Sequence, residues 1–310
     1  MVPSRAVKRA VLITNPEATT VTTRTRDVIV RALSSDLVVD VAETKRRGHA
    51  QHLAAGAVHE GYDLVLVLGG DGTLNEALNG VAGTETPLGV LPGGGTNVFA
   101  RTHGIPKDPV EATAAVLERL REGTQPKRIN LGLVNGRYFG FIAGVGFDAA
   151  VVRQVERRFR LKKAIGEWYF VTTALRTYFF AFDKREAPIS IRLPDGTEHR
   201  DLRLAICGNS NPFTFLGDRQ FQITPLADAE RGLDVTGVRS LAVHRIPRIV
   251  WRAFGSGGHI HLRNVVAAHD LDRFEVVGTH ALPYQVDGDY VGEASSFEFT
   301  SVPRALSLLA

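Results

Sequence analysis

Asp71 sits inside a run of glycines, Gly69-Gly70-Asp71-Gly72, that follows the apolar stretch Leu64 to Leu68 and precedes a helical stretch from Thr73 to Asn79. Glycine lets a backbone bend sharply and approach a ligand closely, and the N-terminus of the next helix aims unpaired N–H groups and its dipole at the turn. The chemistry this suits is anion binding, phosphate above all. A carboxylate cannot itself hold a phosphate, so Asp71 points to a metal ion, a sugar hydroxyl or a proton transfer. A second loop of the same kind follows: Leu88 to Leu91 is a short strand, and Pro92-Gly93-Gly94-Gly95-Thr96-Asn97 opens the helix with Val98, Phe99, Ala100 and Arg101. Two adjacent parallel strands that both end in glycine loops make a crevice at the carboxyl edge of a sheet, where open α/β folds bind ligands. One nucleotide could bridge both loops.

The elements that must position these loops are legible as alternating textures. Val7 to Thr14, Leu37 to Ala42, Asp63 to Leu68 and Leu88 to Leu91 alternate with helical stretches near 22–34, 48–60, 73–82 and 109–122. That alternation predicts an α/β domain, a parallel sheet with helices on both faces. After about Ile129 the chain turns to extended segments: Tyr138 to Val145, Pro188 to Leu193, Leu202 to Cys207, Leu233 to Val238, Phe274 to Val277 and Phe297 to Val302. These predict a second, mainly antiparallel β domain.

Composition narrows the class further. The chain has 310 residues, 44% of them hydrophobic, enough for two domains with proper cores. A single cysteine, Cys207, rules out an internal disulfide, fits a reducing cytoplasm, and sits in an apolar strand as a core residue would. No stretch approaches the ~20 apolar residues of a transmembrane helix, and residues 1–10 lack a secretory signal's apolar core. The expectation is a soluble, cytoplasmic protein, at most peripheral to the inner membrane surface. Lys+Arg number 37 against 33 Asp+Glu. Between Arg153 and Arg185, cations such as Arg157, Arg160 and Lys163 interleave with Phe159, Trp168, Tyr169 and Phe179. Such a segment suits an anionic lipid surface or, equally, an aromatic core with a solvated basic face. A net charge of +4 and the absence of a recognised motif speak against nucleic acid. His259 and His261 would share one strand face, with His244 and His269 nearby, yet no acidic or cysteine partner stands at zinc-ligand spacing.

The two loops together, Gly69-Gly70-Asp71-Gly72-Thr73-Leu74-Asn75-Glu76 and Leu91-Pro92-Gly93-Gly94-Gly95-Thr96-Asn97-Val98-Phe99-Ala100-Arg101, resemble the diacylglycerol kinase catalytic family, which includes sphingosine kinases and bacterial lipid kinases. Gly144-Val145-Gly146-Phe147-Asp148, Asn209, Pro225 with Ala227, Gly232-Leu233-Asp234-Val235 and Asp287-Gly288-Asp289 match later family landmarks in order. The resemblance implies ATP-dependent transfer of the γ-phosphoryl group to the hydroxyl of diacylglycerol or a related lipid alcohol, with Mg²⁺ near Asp71, in a cleft between two domains. Those domains would be residues 1–130 with a returning segment 303–310, binding nucleotide, and residues 131–302, binding lipid. By position the nucleotide would meet Asn15, Thr44, Gly69, Gly70, Asp71, Gly72, Thr73, Leu74, Asn75, Glu76, Gly94, Gly95, Thr96 and Asn97. Asp71 and Asp289 would be catalytic, Asp289 standing where the family's Asp-Gly-Glu motif places its proton acceptor. An NAD kinase shares Gly-Gly-Asp-Gly and is the nearest rival, although the second loop follows the lipid kinase pattern. A nucleotide-binding homologue without catalysis is the other. The lipid acceptor and the oligomeric state, a homodimer included, are left open by the sequence.

Three departures from the family pattern have physical consequences. The first loop reads Asn15-Pro16-Glu17-Ala18-Thr19 without the usual terminal glycine, leaving Thr19 and Thr20 as hydroxyl donors. Asp289 is one methylene shorter than glutamate, so either the approach tightens or Asp287 shares the role, mutual repulsion raising the pKa of one of them. Alternatively Asp287-Gly288-Asp289 is simply a hairpin turn before Phe297 to Phe299. Finally, Arg231 stands where some bacterial members have the aspartate of a structural Mg²⁺ site. A guanidinium cannot ligate a cation, so the expectation is no structural metal and an ion pair from Arg231 to Asp228, Glu230 or Asp234.

Overall fold

A computed structural model of the chain describes residues 8–18, 21–146, 188–240, 242 and 244–310. The basic aromatic segment 153–185, Thr19, Thr20, Phe147 and Asp148 lie outside the described residues. The chain divides into two compact units, residues 1–129 with 304–310, and residues 130–303.

The first unit is built on parallel strands β1 (Lys8–Thr14), β2 (Leu37–Glu43), β3 (Leu64–Gly69) and β4 (Leu88–Pro92) in the order β2-β1-β3-β4. Every residue of β3 and β4 is buried, as strands covered on both faces must be. Among the helices, α1 (Thr23–Leu33) packs on α5 (Pro109–Glu122), and α2 (His49–His59) on α3 (Asp71–Val81). Local chemistry sets their ends. Thr22 Oγ1 accepts from the Thr25 amide at the start of α1, and Asp108 accepts from Val110 and Glu111 ahead of α5, with Pro109 at the first helical position and Gly123 at φ 72° closing it. Helix α3 begins at Asp71, two residues before the sequence-based expectation, because Gly70 is extended and serves as its N-cap residue. A short helix, α4 (Val98–Thr102), follows the second glycine loop. The end of the last strand, β16 (Asp289–Leu309), completes this sheet, Leu308 and Leu309 pairing in parallel with Leu88 and Gly89.

The second unit is antiparallel. Its strands are β5 (Lys127–Val134), β6 (Arg137–Phe139), β7 (Ile142–Gly146), β8 (Ile189–Arg192), β9 (Glu198–Leu202), β10 (Leu204–Gly208), β13 (Leu233–Val238), β14 (Val265–Leu271), β15 (Arg273–Val286) and the first part of β16. The main path runs β14-β13-β10-β7-β15-β16, with β8 on β15 and β9 on β8, and with β5 on β16 and β6 on β5. A separate hairpin pairs β11 (Thr214–Leu216) with β12 (Arg219–Phe221). Phe139, Phe274, Phe297 and Phe299 centre the core, Phe274 stacking on Phe299 at 4.8 Å. Cys207 is buried in β10, where burial pushes its thiol well above the usual range.

Two local expectations are corrected. His259 and His261 share no strand face; they lie in a 3-10 turn, Gly258–His261, entered through Gly257 at φ 70°. His259 is buried and its Nε2 donates to the Ile223 carbonyl, and burial lowers its pKa. Arg231 is exposed and makes no ion pair among the described residues. Asp234 is engaged by His269 at 2.5 Å and by the Asp270 amide instead, because the turn at Asp270, φ 56°, folds those groups onto β13.

Candidate active site

Two clusters contain the residues singled out from the sequence, one in each unit. In the first unit the glycine loops meet backbone to backbone. The Gly93 amide donates to the Gly69 carbonyl at 2.8 Å, and a Cβ at Gly94 would lie 2.7 Å from the Gly70 Cα and 2.9 Å from Asn97 Oδ1. Neither loop can therefore accept a side chain at this contact without moving the other. Asn97, at φ 47°, closes its own loop by accepting from the Gly94 amide and donating to the Gly94 carbonyl.

Asp71 ties the two loops together. Its Oδ2 accepts from the Val98 amide at 3.0 Å and its Oδ1 from the Phe99 amide at 3.2 Å, so a residue in the first turn of α3 caps α4. Asn15 adds the first loop to the assembly, its Nδ2 donating to Thr73 Oγ1 at 3.0 Å while its Oδ1 accepts from Glu17. Glu17 itself is exposed. Thr44 follows β2, its amide donating to the Thr14 carbonyl. Glu76 faces α2: its carboxylate accepts from the amides of Gly48 and Ala50 at 2.7 and 3.1 Å. Leu74 and Asn75 are buried along α3, so of the run 70–76 the first turn is the exposed end.

What remains for a ligand is backbone. Among the described residues no protein group accepts from the amides of Gly72 and Thr73 at the start of α3, or from those of Gly95 and Thr96 in the second loop, where the space around Gly95 is open. Four such N–H groups beside a helix N-terminus suit an anion with several oxygens. Gly94→Ala, which drives the loops apart, is expected to lower the melting temperature, whereas Gly95→Ala, which meets nothing, is expected to leave it unchanged; thermal melts of each variant check this.

In the second unit, β15 and β16 join through Asp287 at φ 48° and Gly288 at φ 82°, a two-residue turn of the Asp-Gly kind, with Val286 paired to Asp289. Asp289 is the half-buried first residue of β16. Asp287 has a different position: it is 5% exposed, and its carboxylate accepts from the amides of Gly140, Phe141 and Ile142 at 2.7, 3.0 and 3.0 Å. Asp287 is thus committed to three backbone amides and holds the turn that bears Asp289. Asn209 buttresses the same corner, its amide donating to the Phe141 carbonyl and its Nδ2 to the carbonyls of Asn130 and Gly140. Sequence reading placed Asn209 as a landmark without this role, since none of its partners is nearby along the chain.

Comparison with known proteins finds relatives over most of the chain. A family model of the diacylglycerol kinase catalytic domain matches residues 9–129. A diacylglycerol kinase of Mycobacterium tuberculosis is 33% identical over 267 residues, which span 84% of this chain and 81% of that protein. A "Probable lipid kinase YegS-like" of Pseudomonas putida is 34% identical over 291 residues, spanning 90% and 89%. The crystal structure of a diacylglycerol kinase from Bacillus anthracis superposes with a TM-score of 0.76 over 98% of this chain and 97% of that one, at 21% identity, which supports the fold. On sequence and architecture together, the chain belongs to the diacylglycerol kinase catalytic-domain family.

Proposed function

We propose that this protein is an ATP-dependent lipid kinase that transfers the γ-phosphoryl group to the hydroxyl of diacylglycerol or a related lipid alcohol. The observation that supports this best is the pair of glycine loops locked on each other by Asp71, with the amides of Gly72, Thr73, Gly95 and Thr96 left for phosphate oxygens. Asn15, Thr44, Thr96 and Asn97 complete the nucleotide set. Phosphoryl transfer depends on positioning and on spreading charge, which fixed backbone dipoles provide without reorganisation.

In this reading Asp289 accepts the proton of the lipid hydroxyl as that oxygen bonds to the γ-phosphorus and the bond to the β-bridging oxygen breaks, leaving ADP and a lipid phosphate. Among the described residues no three acidic or histidine side chains converge as a metal cage. Mg²⁺ fits nonetheless, because it takes most of its shell from phosphate and water and needs only one or two carboxylates, of which Asp71 between the loops would be one. When bound it supplies neutralising charge to the phosphates. Among the described residues no helix is long and apolar enough to cross a membrane.

The test is radiolabelled ATP offered with diacylglycerol, a sphingoid base, a polyprenol and NAD⁺ in parallel. Labelled lipid is the expected result. Labelled dinucleotide, or tight ATP binding with no product, would overturn it.

A further inference from the structure

Between Asp234 and Asp270 the chain has five arginines and no acidic residue, a segregation of charge unlike the rest of a chain whose net charge is only +4. Helix α6 (Ile246–Ala253) lies in the middle of this stretch. One side of it is fixed within the second unit. Ala253 is buried and its carbonyl accepts from the Gln222 amide, Phe254 packs against Phe221 at 4.7 Å, and Arg252 Nη1 donates to the Gly258 carbonyl. Among the described residues the opposite side has no such partners. Trp251 is 81% exposed, the most exposed of the large apolar side chains described, and one helical turn before it stands Arg248. Arg245, just ahead of the helix, and Arg263, after the 3-10 turn, are exposed too; none of these three makes an ion pair among the described residues. Leu226, 53% exposed, follows Pro225, against which a Cβ at Gly257 would lie at 2.5 Å, so it borders the same corner.

An exposed indole on a helix, with guanidinium groups on and beside that helix that make no ion pair among the described residues, combines the two features that hold an amphipathic helix at a membrane: an apolar ring at headgroup depth and cations facing anionic lipid. We infer that α6, with Trp251, Arg245, Arg248 and Arg263, docks this protein on an anionic bilayer surface. Sequence patterning left residues 153–185 equally suited to a lipid surface or to a core; the α6 inference uses none of those residues and is carried by exposure and charge. The inference gains its rationale from the lipid kinase reading, since such an enzyme must collect its substrate from a bilayer. Its test does not involve turnover.

Flotation of the full chain with vesicles separates the two. Phosphatidylcholine vesicles containing phosphatidylglycerol are expected to bind the wild type, and pure phosphatidylcholine vesicles to bind it far more weakly. The double variant Arg245→Ala/Arg248→Ala should bind the anionic vesicles about 30-fold more weakly, at about fivefold per arginine. Trp251→Ala should lose about tenfold. Both substitutions are at exposed positions and are expected to leave the melting temperature unchanged. Binding of either variant at wild-type strength, or equal wild-type binding to neutral and anionic vesicles, would overturn the inference. Phosphorylation of a short-chain diacylglycerol dissolved as monomer reports on the kinase reading alone: its absence in the wild type would remove that reading while the vesicle result stood.

Discussion

Asp289→Asn is expected to lose at least about a hundredfold in kcat while binding ATP within a few-fold of wild type and melting at the same temperature. A positioned proton acceptor contributes about 10²- to 10⁴-fold, and the amide keeps the shape of the side chain while removing its basicity. Asp289 is only half-buried and begins a strand, so the substitution disturbs no core packing. Single-turnover measurements with saturating ATP and diacylglycerol, beside calorimetric ATP titration, separate chemistry from binding. Ordinary turnover in this variant would remove Asp289 from the mechanism. Asp289→Glu, which restores the longer acid of the family motif, is expected to keep or raise activity, an outcome that a purely structural role for the residue does not predict.

Asp287→Ala, two residues away, should behave in the opposite manner, costing stability first. Its carboxylate is the acceptor for three backbone amides at a buried corner, and an orphaned buried donor costs about 1–3 kcal/mol. The expected loss is about 3 kcal/mol or more. For a unit of this size that is a fall of roughly 6–12 °C in melting temperature. Alanine also tolerates the left-handed φ of 48° poorly. Asp287→Asn keeps the turn conformation but offers one acceptor oxygen where two are used, so an intermediate loss is expected. Thermal melts of the three variants check the order: Asp289→Asn unchanged, Asp287→Asn lower, Asp287→Ala lowest. Equal melting temperatures for all three would mean that the corner is held by other bonds.

These two neighbouring aspartates show where sequence reading succeeds and where it stops. The Asp-Gly pair between apolar runs announced a turn, and the family pattern singled out residue 289. Nothing local said that Asp287 would reach the amides of residues 140–142, because that contact spans about 145 residues of chain. Asp71 is a parallel case. Its place among glycines marked it as chemical, but its capping of α4 depends on a partner 27 residues on, created only when β3 and β4 lie side by side. The parallel strands themselves were legible, since burial on both faces leaves uninterrupted runs such as Leu64 to Leu68. Strands β15 and β16 were visible only as the short apolar cores Phe274 to Val277 and Phe297 to Val302. Their outer residues alternate with solvent, and polar stretches such as Thr279-His280-Ala281 read as loop; they fall at an irregularity in the β15–β16 pairing, between Val277 and Leu282.

The N-terminal unit is threaded in a way that bears on its biosynthesis. Residues 304–310 belong to it, with Leu308 and Leu309 bonded along the outer side of β4, and the Gly83 amide donating to the Ala305 carbonyl. A ribosome delivers those residues after all of 130–303. Until then β4 presents an unpaired edge, and the nascent first unit waits, one strand short, for a segment encoded about 200 codons downstream of the glycine loops it helps to support.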